Sequence, residues 1–442
     1  MVRTFTAIGL VASVAVSMAQ DRVAFGFTAA EIEAVQNYWR AAERYTVEDL
    51  NENGQTFSVI QTVEGSVWLN SFYRARANGR VNPTANPAAR NQTETAQDRW
   101  IEAKIAYDHG MAAIAAARQN NRPAPAAPRN PGNPPAGLTA VCGAPPSFAQ
   151  VCRPQRHTVH FHDGTVVTYR TPQPMRRNYA YYRNHEGVMS GGQRVRTMDR
   201  GTIDRLFQQA GVTPMERRVF EAVSLLEGGF DSVNTYDTGF VSVGFIQFAS
   251  LQAGSGSLGQ TLLRMKTEQP VAFENNFRKM GIDVTPQGAL LVLDIASGDM
   301  KMGADANREI IEDKRLIASF QRAGRICDEF RIAQIKTAKA MYYPANDPIS
   351  FTVNGRTFSG KVSDVFKTEA GLATLMDRKV NTGRIGNVNE LLANAVREYG
   401  FGSLAECSQL EWYFAQALTY RENYLADASL AQPRRVETVT SR

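Results

Sequence analysis

Between residues 122 and 135 the chain reads RPAPAAPRNPGNPP, six prolines in fourteen positions. Proline fixes φ and carries no N–H, so neither a helix interior nor a central strand can run through such a stretch. A semi-extended linker is predicted over 121–137, dividing the chain. The length agrees with division: 442 residues exceed what one hydrophobic core usually holds, and two or three domains are expected.

Upstream of the prolines, residues 20–120 read as a small helical domain. Ile32, Val35, Trp39 and Ala42 recur at helical spacing, and a second helical pattern runs from Thr93 to Arg118. Val59, Ile60, Val67, Trp68 and Phe72 supply apolar residues between them. The expected job of this domain is packing or binding of an envelope partner. DLNENG, from Asp49, has the early oxygens of a calcium loop, but its twelfth position is Ile60 where a bidentate Glu is needed; it reads as a polar turn.

The first 19 residues read as a signal peptide: basic Arg3, an apolar run from Phe5 to Val16, then small Ser17 and Ala19. That run falls short of the roughly 20 apolar residues of a membrane span, and no other segment reads as one. An exported protein, periplasmic or extracellular, is expected. In an oxidising compartment four cysteines allow three pairings, of which Cys142–Cys152 as a local staple and Cys327–Cys407 as a long-range tie are expected. No C-x-x-C exists to suggest zinc, and His160 and His162 on one strand face lack a third ligand. No cofactor is expected.

Beyond the prolines, 138–198 reads as a disulfide-stapled hairpin segment, with HTVHFHDGTVVTYRT alternating around Asp163-Gly164. NYAYYRNHEG after it reads as a cover for the next domain. Residues 199–427 read as a mainly helical domain with hairpins at 236–249 and 349–362, and 428–442 as a flexible tail. The fold class expected is α+β, mainly α. The net charge of +6 suits an anionic polymer, while the absence of dense Lys/Arg clusters interleaved with aromatics argues against nucleic acid.

One stretch carries chemistry: LLEGGFDSVNTYDTGFVSVGFIQFA, residues 225–249. A helix over 214–227 is predicted from Thr213, Pro214 and Glu216 at its start and Gly228-Gly229 at its end. Glu227 would close it, where apolar neighbours and the negative end of the helix dipole favour a protonated carboxyl, as a general acid requires. A solvent-exposed last-turn Glu is the plainer alternative. Asp231 reads as a turn cap with Ser232.

With its helix-terminal Glu and its Gly244-Phe245-Ile246-Gln247 segment, this stretch resembles the lysozyme-like superfamily, especially lytic transglycosylases and goose-type lysozymes. The residue after the acid, usually Ser there, is Gly228 here. NTYDTGFVSVGF is also similar to the chitosanase segment that holds a second acid, which would place Asp237 in that role. The resemblance implies cleavage of a β-1,4 glycosidic bond in peptidoglycan or a related amino-sugar polymer, with Glu227 as proton donor. Asp237 would activate water in an inverting hydrolase; without such a base a sugar hydroxyl attacks and leaves an anhydro product. Tyr236, Ser242 and Gln247 would position the sugar, or simply build the hairpin. LMDRKVNTGR places Asp377 and Asn381 beyond an apolar helical stripe, on the far side of a groove or at an ordinary charged helix end. A glycan-binding scaffold without chemistry is the competing class. A metallopeptidase is disfavoured because H-E-x-x-H is absent.

Overall fold

The computed structural model describes residues 26–41, 43–82, 84, 86–173 and 181–436; the predicted signal peptide lies outside them. The first helix, α1 (Ala29–Arg40), starts in a capping box of Thr28 and Glu31. Its buried Val35 and Trp39 join the large core of the C-terminal body rather than a core of their own. The Trp39 indole N–H donates to the Met280 carbonyl at 3.1 Å, and Arg278 donates to the Gly26 carbonyl at 3.0 Å. Strand β1 (Tyr45–Asp49) follows the same allegiance, as the sheet below shows.

A second, smaller core is built by β2 (Ser58–Gln61), α2 (Val63–Ala77), the 33-residue α3 (Pro87–Gln119) and β3 (Ala149–Cys152). Trp68, Leu69, Phe72, Ile101, Leu138 and Phe148 fill it, and β2 pairs with β3 antiparallel. The proline-rich segment spans no gap between bodies. It lies along α3, where a Cβ on Gly110 would come within 2.7 Å of the Pro128 ring and the Trp100 indole donates to Gly132 O at 3.1 Å. Extended proline backbone has little entropy left to lose, so its rings dock readily on a helix face of small and aromatic residues.

The body opens with β4 (Gln155–His160) and β5 (Val166–Thr171), completing an antiparallel sheet in the order β1-β4-β5. The predicted turn at Asp163-Gly164 joins them. After β6 (Met189–Ser190) come α4 (Arg200–Gln209) and α5 (Pro214–Ser224), then β7 (Val233–Asn234), β8 (Ser242–Val243) and β9 (Phe248–Ala249). These short strands form one sheet in the order β6-β7-β8-β9. Helices α6 (Ser257–Glu268) and α7 (Pro270–Asn276) lead into a three-stranded meander that periodicity did not announce: β10 (Ile282–Val284), β11 (Leu290–Leu293) and β12 (Met300–Met302). β11 is buried on both faces, so its LLVL shows no alternation.

The stretch 304–341, helical by pattern, is three helices: α8 (Ala304–Glu312), α9 (Lys314–Ile326) and α10 (Asp328–Met341). Asp313 and Cys327 break it in extended conformation, and the Asp313 carboxylate caps α9 by accepting from Arg315 N at 2.9 Å. A hairpin follows where predicted, β13 (Pro348–Val353) and β14 (Arg356–Lys361), turning at Asn354-Gly355 with both residues at positive φ. The chain ends through α11 (Val362–Val365), α12 (Glu369–Thr382), α13 (Val388–Tyr399), α14 (Leu404–Cys407) and α15 (Glu411–Leu418). The architecture is α+β, mainly α, with small antiparallel sheets.

Two expectations are corrected. The segment after 428, read as a flexible tail, is pinned as far as Val436: Leu430 is buried, Ala431 N donates to Glu369 at 2.9 Å, and the Tyr413 hydroxyl donates to Val436 O at 2.8 Å. The four cysteines are free thiols, not Cys142–Cys152 and Cys327–Cys407 disulfides. Cys152 faces Ser58 across the β2–β3 pair, while Cys142 packs against the small core. Cys327 sits at the α9–α10 break between Asn276 and Glu329, and Cys407 donates to Ser403 O within α14.

Candidate active site

Glu227 is set by how α5 ends. The helix begins in a capping box of Thr213 and Glu216 and buries Val219, Phe220 and Val223. Its regular turns stop at Ser224, three residues earlier than predicted. The N–H groups of Leu225, Leu226 and Glu227 bond back three residues instead of four, to Ala222, Val223 and Ser224. This tightened turn leaves Leu225 and Leu226 exposed while the Glu227 side chain stays only 9% exposed. The glycines that follow are both required. Gly228 has φ of +134°, and Gly229 abuts the Gln193 backbone so closely that no Cβ fits.

The Glu227 carboxylate meets the guanidinium of Arg421, which arrives from beyond α15. Arg421 also holds Asp377 of α12: Nη2 and Nε donate to Oδ1 at 2.6 and 3.0 Å, and the backbone N–H donates to Oδ2 at 3.2 Å. Asp377 is 1% exposed. Asn381, one turn on, donates to Asp377 O at 2.7 Å and to Asp377 Oδ1 at 3.2 Å. Burial raises the Glu227 pKa above the usual carboxylate value; Arg421 and Asn381 work against the rise, the Asp377 charge works with it, and the outcome is upward. Tyr342, just past α10, adds a half-buried phenol whose pKa is raised by burial and by the Glu227 charge.

Three residues singled out in the sequence, Glu227, Asp377 and Asn381, are thus brought together. Arg421 was missed. It stands alone in TYRENY with no periodicity around it, and only tertiary folding discloses its role.

The hairpin residues are placed differently. Asp237 is committed to its own turn, accepting from the Asn234 amide at 2.7 Å and Gly239 N at 2.8 Å. Tyr236 is half-buried against Tyr182, and its carbonyl accepts from Arg183 N and Asn184 N. Ser242 is buried in β8, paired with Asn234 and Ala249. Gln247 donates to Ser232 Oγ at 2.7 Å and Gly244 O at 3.2 Å, closing the hairpin base. Asp231 accepts from Gln193 N and Arg325. A residue that sequence reasoning passed over, buried Gln334 of α10, joins both sides of this region: its amide donates to Phe230 O at 3.0 Å and accepts from Phe245 N at 3.3 Å. Gly244 has φ of +90° and lies against the Gln334 amide, which explains the glycine in the Gly-Phe-Ile-Gln segment.

Chemically, the cluster offers one largely buried carboxyl with a raised pKa, and beside it a guanidinium that would stabilise the carboxylate left after a proton transfer. Among the described residues no three His, Cys, Asp or Glu side chains converge as a metal site. Comparison with family models, curated proteins and solved structures finds no match to this chain.

Proposed function

We propose that the chain is an exported enzyme that cleaves β-1,4 glycosidic bonds of peptidoglycan or a related amino-sugar polymer, through a lysozyme-like domain over 199–427. The observation that carries this reading is Glu227: a largely buried carboxyl with a raised pKa, at the end of a helix, followed at once by a glycine-rich hairpin. In this scheme Glu227 protonates the bridging oxygen as the bond breaks, and Arg421, held by Asp377, stabilises the resulting carboxylate. Both carboxylate oxygens of Asp237 are already engaged, which favours attack by the sugar's own hydroxyl, its proton passing to the Glu227 carboxylate, and anhydro products over base-activated water.

Mass spectrometry of products from purified peptidoglycan, with wild type and Glu227→Gln, tests the reading. The wild type should release products with anhydro ends, and Glu227→Gln should lose at least about 10²-fold in rate, the scale of a lost general acid. Hydrated ends together with an equal loss in Asp237→Asn would instead assign Asp237 as base. One observation favours the non-catalytic alternative, the ion pair that Arg421 makes with Glu227. Under that alternative the wild type binds glycan without cutting it.

A further inference from the structure

A cavity of about 750 Å³ beside α1 is lined by guanidiniums that already have partners: Arg278 holds Glu31, Glu274 and Asp283, and Arg322 holds Asp163. The cleft between α3 and the proline-rich segment is different. It encloses about 440 Å³, within the range of small-ligand sites, and its walls include Arg99, Trp100, Tyr107, Pro128, Arg129 and Pro131. No carboxylate lines it. Among the described residues neither Arg99 nor Arg129 forms an ion pair with an acid, and Asp98, the residue before Arg99, is tied to Arg76 at 2.9 Å.

The cleft is also preformed. Pro128 seats on Gly110, where no side chain would fit without displacing it. The Trp100 N–H is fixed to Gly132 O, and Asn130 Oδ1 accepts from Gly132 N at 2.9 Å to hold the turn beside it. The indole is therefore oriented before any ligand arrives. Two unpaired guanidiniums beside an indole and a phenol make a surface for an anion attached to a ring. Arginine binds carboxylate or phosphate through paired N–H donors, and aromatic faces receive the apolar face of a sugar.

We propose that this cleft binds an anionic sugar, its ring against Trp100 and Tyr107 and its carboxylate or phosphate held by Arg99 and Arg129. The site is separate from Glu227 and does not depend on glycan cleavage. Isothermal titration of the full chain with glucuronate, glucose 6-phosphate, glucose and inorganic phosphate tests it, with ¹⁵N spectra following the Trp100 indole. One or both sugar anions should bind and shift that indole signal, with glucose and inorganic phosphate at least about tenfold weaker, the scale of a lost charged hydrogen bond. Which anion binds distinguishes carboxylated from phosphorylated sugars. Arg99→Gln/Arg129→Gln, at exposed positions, should abolish the preference for the anionic sugar over glucose, with an unchanged melting temperature. The proposal is overturned if neither sugar anion binds, if glucose or inorganic phosphate binds equally well, or if the double variant binds as the wild type does.

Discussion

Arg421 divides its guanidinium between Asp377, sealed from water, and Glu227, which keeps a small exposed fraction. The two carboxylates therefore act on each other through it, with opposite consequences for a proton on Glu227. Arg421→Gln removes the charge that favours ionisation, so under the proposed activity the basic limb of kcat/KM should move up. Asp377→Asn removes the charge that opposes ionisation, and the limb should move down. Carbon-13 titration of Glu227 checks both directions without relying on turnover. Glu309 of α8 gives a separate stability test. Burial, and then Asp294, Asp313 and Glu312, lift its pKa from 4.5 to about 7. Between those values the unfolded chain has lost a proton that the folded chain keeps, so this group's contribution to stability falls as pH rises through the window. Glu309→Gln should flatten that decline, as urea midpoints between pH 4 and 8 would register.

At the scale of elements, the hairpin beside Glu227 depends on a single side chain of α10. Gln334→Ala leaves Phe230 O and Phe245 N unpaired in the core and should cost about 2–4 kcal/mol, measured by urea unfolding. Gly110→Val pushes Pro128 from α3. Trypsin cleavage after Arg129 should then accelerate about tenfold, because overpacking raises the population of the undocked segment. Elements with local punctuation could be read in advance. Thr213, Pro214 and Glu216 open α5, and Asn-Gly turns the β13–β14 hairpin. What decided the rest was contact between distant residues. The meander β10–β12 carries buried runs without alternation, and the docking of the prolines depends on a glycine nearly twenty residues earlier. The cluster at Glu227 was legible in three of its members because acids and amides at helix ends are conspicuous. Arg421 was not, since nothing around it in the chain points to residue 227.

For the molecule as a whole, the free thiols mean that non-covalent contacts, without cross-links, hold the body together. Burial lifts the Cys327 and Cys407 pKa values to about 12 and 11, so neither presents thiolate at neutral pH. Reductant should leave the melting temperature unchanged, and peptide mapping without reduction should recover four unlinked cysteines. The joining of α1 and β1 to the body also makes the N-terminal residues part of its stability: deletion through Arg40 removes Trp39 and Val35 from the large core. The span between Glu227 and Arg421 has a consequence in time. The two residues stand 194 positions apart. At ordinary synthesis rates of about 5–20 residues per second, a growing chain carries the acid for roughly 10–40 s before its guanidinium exists. Every chain cut short in that interval holds Glu227 without the cation that shares its charge, so the cluster is finished only once residue 421 has been added.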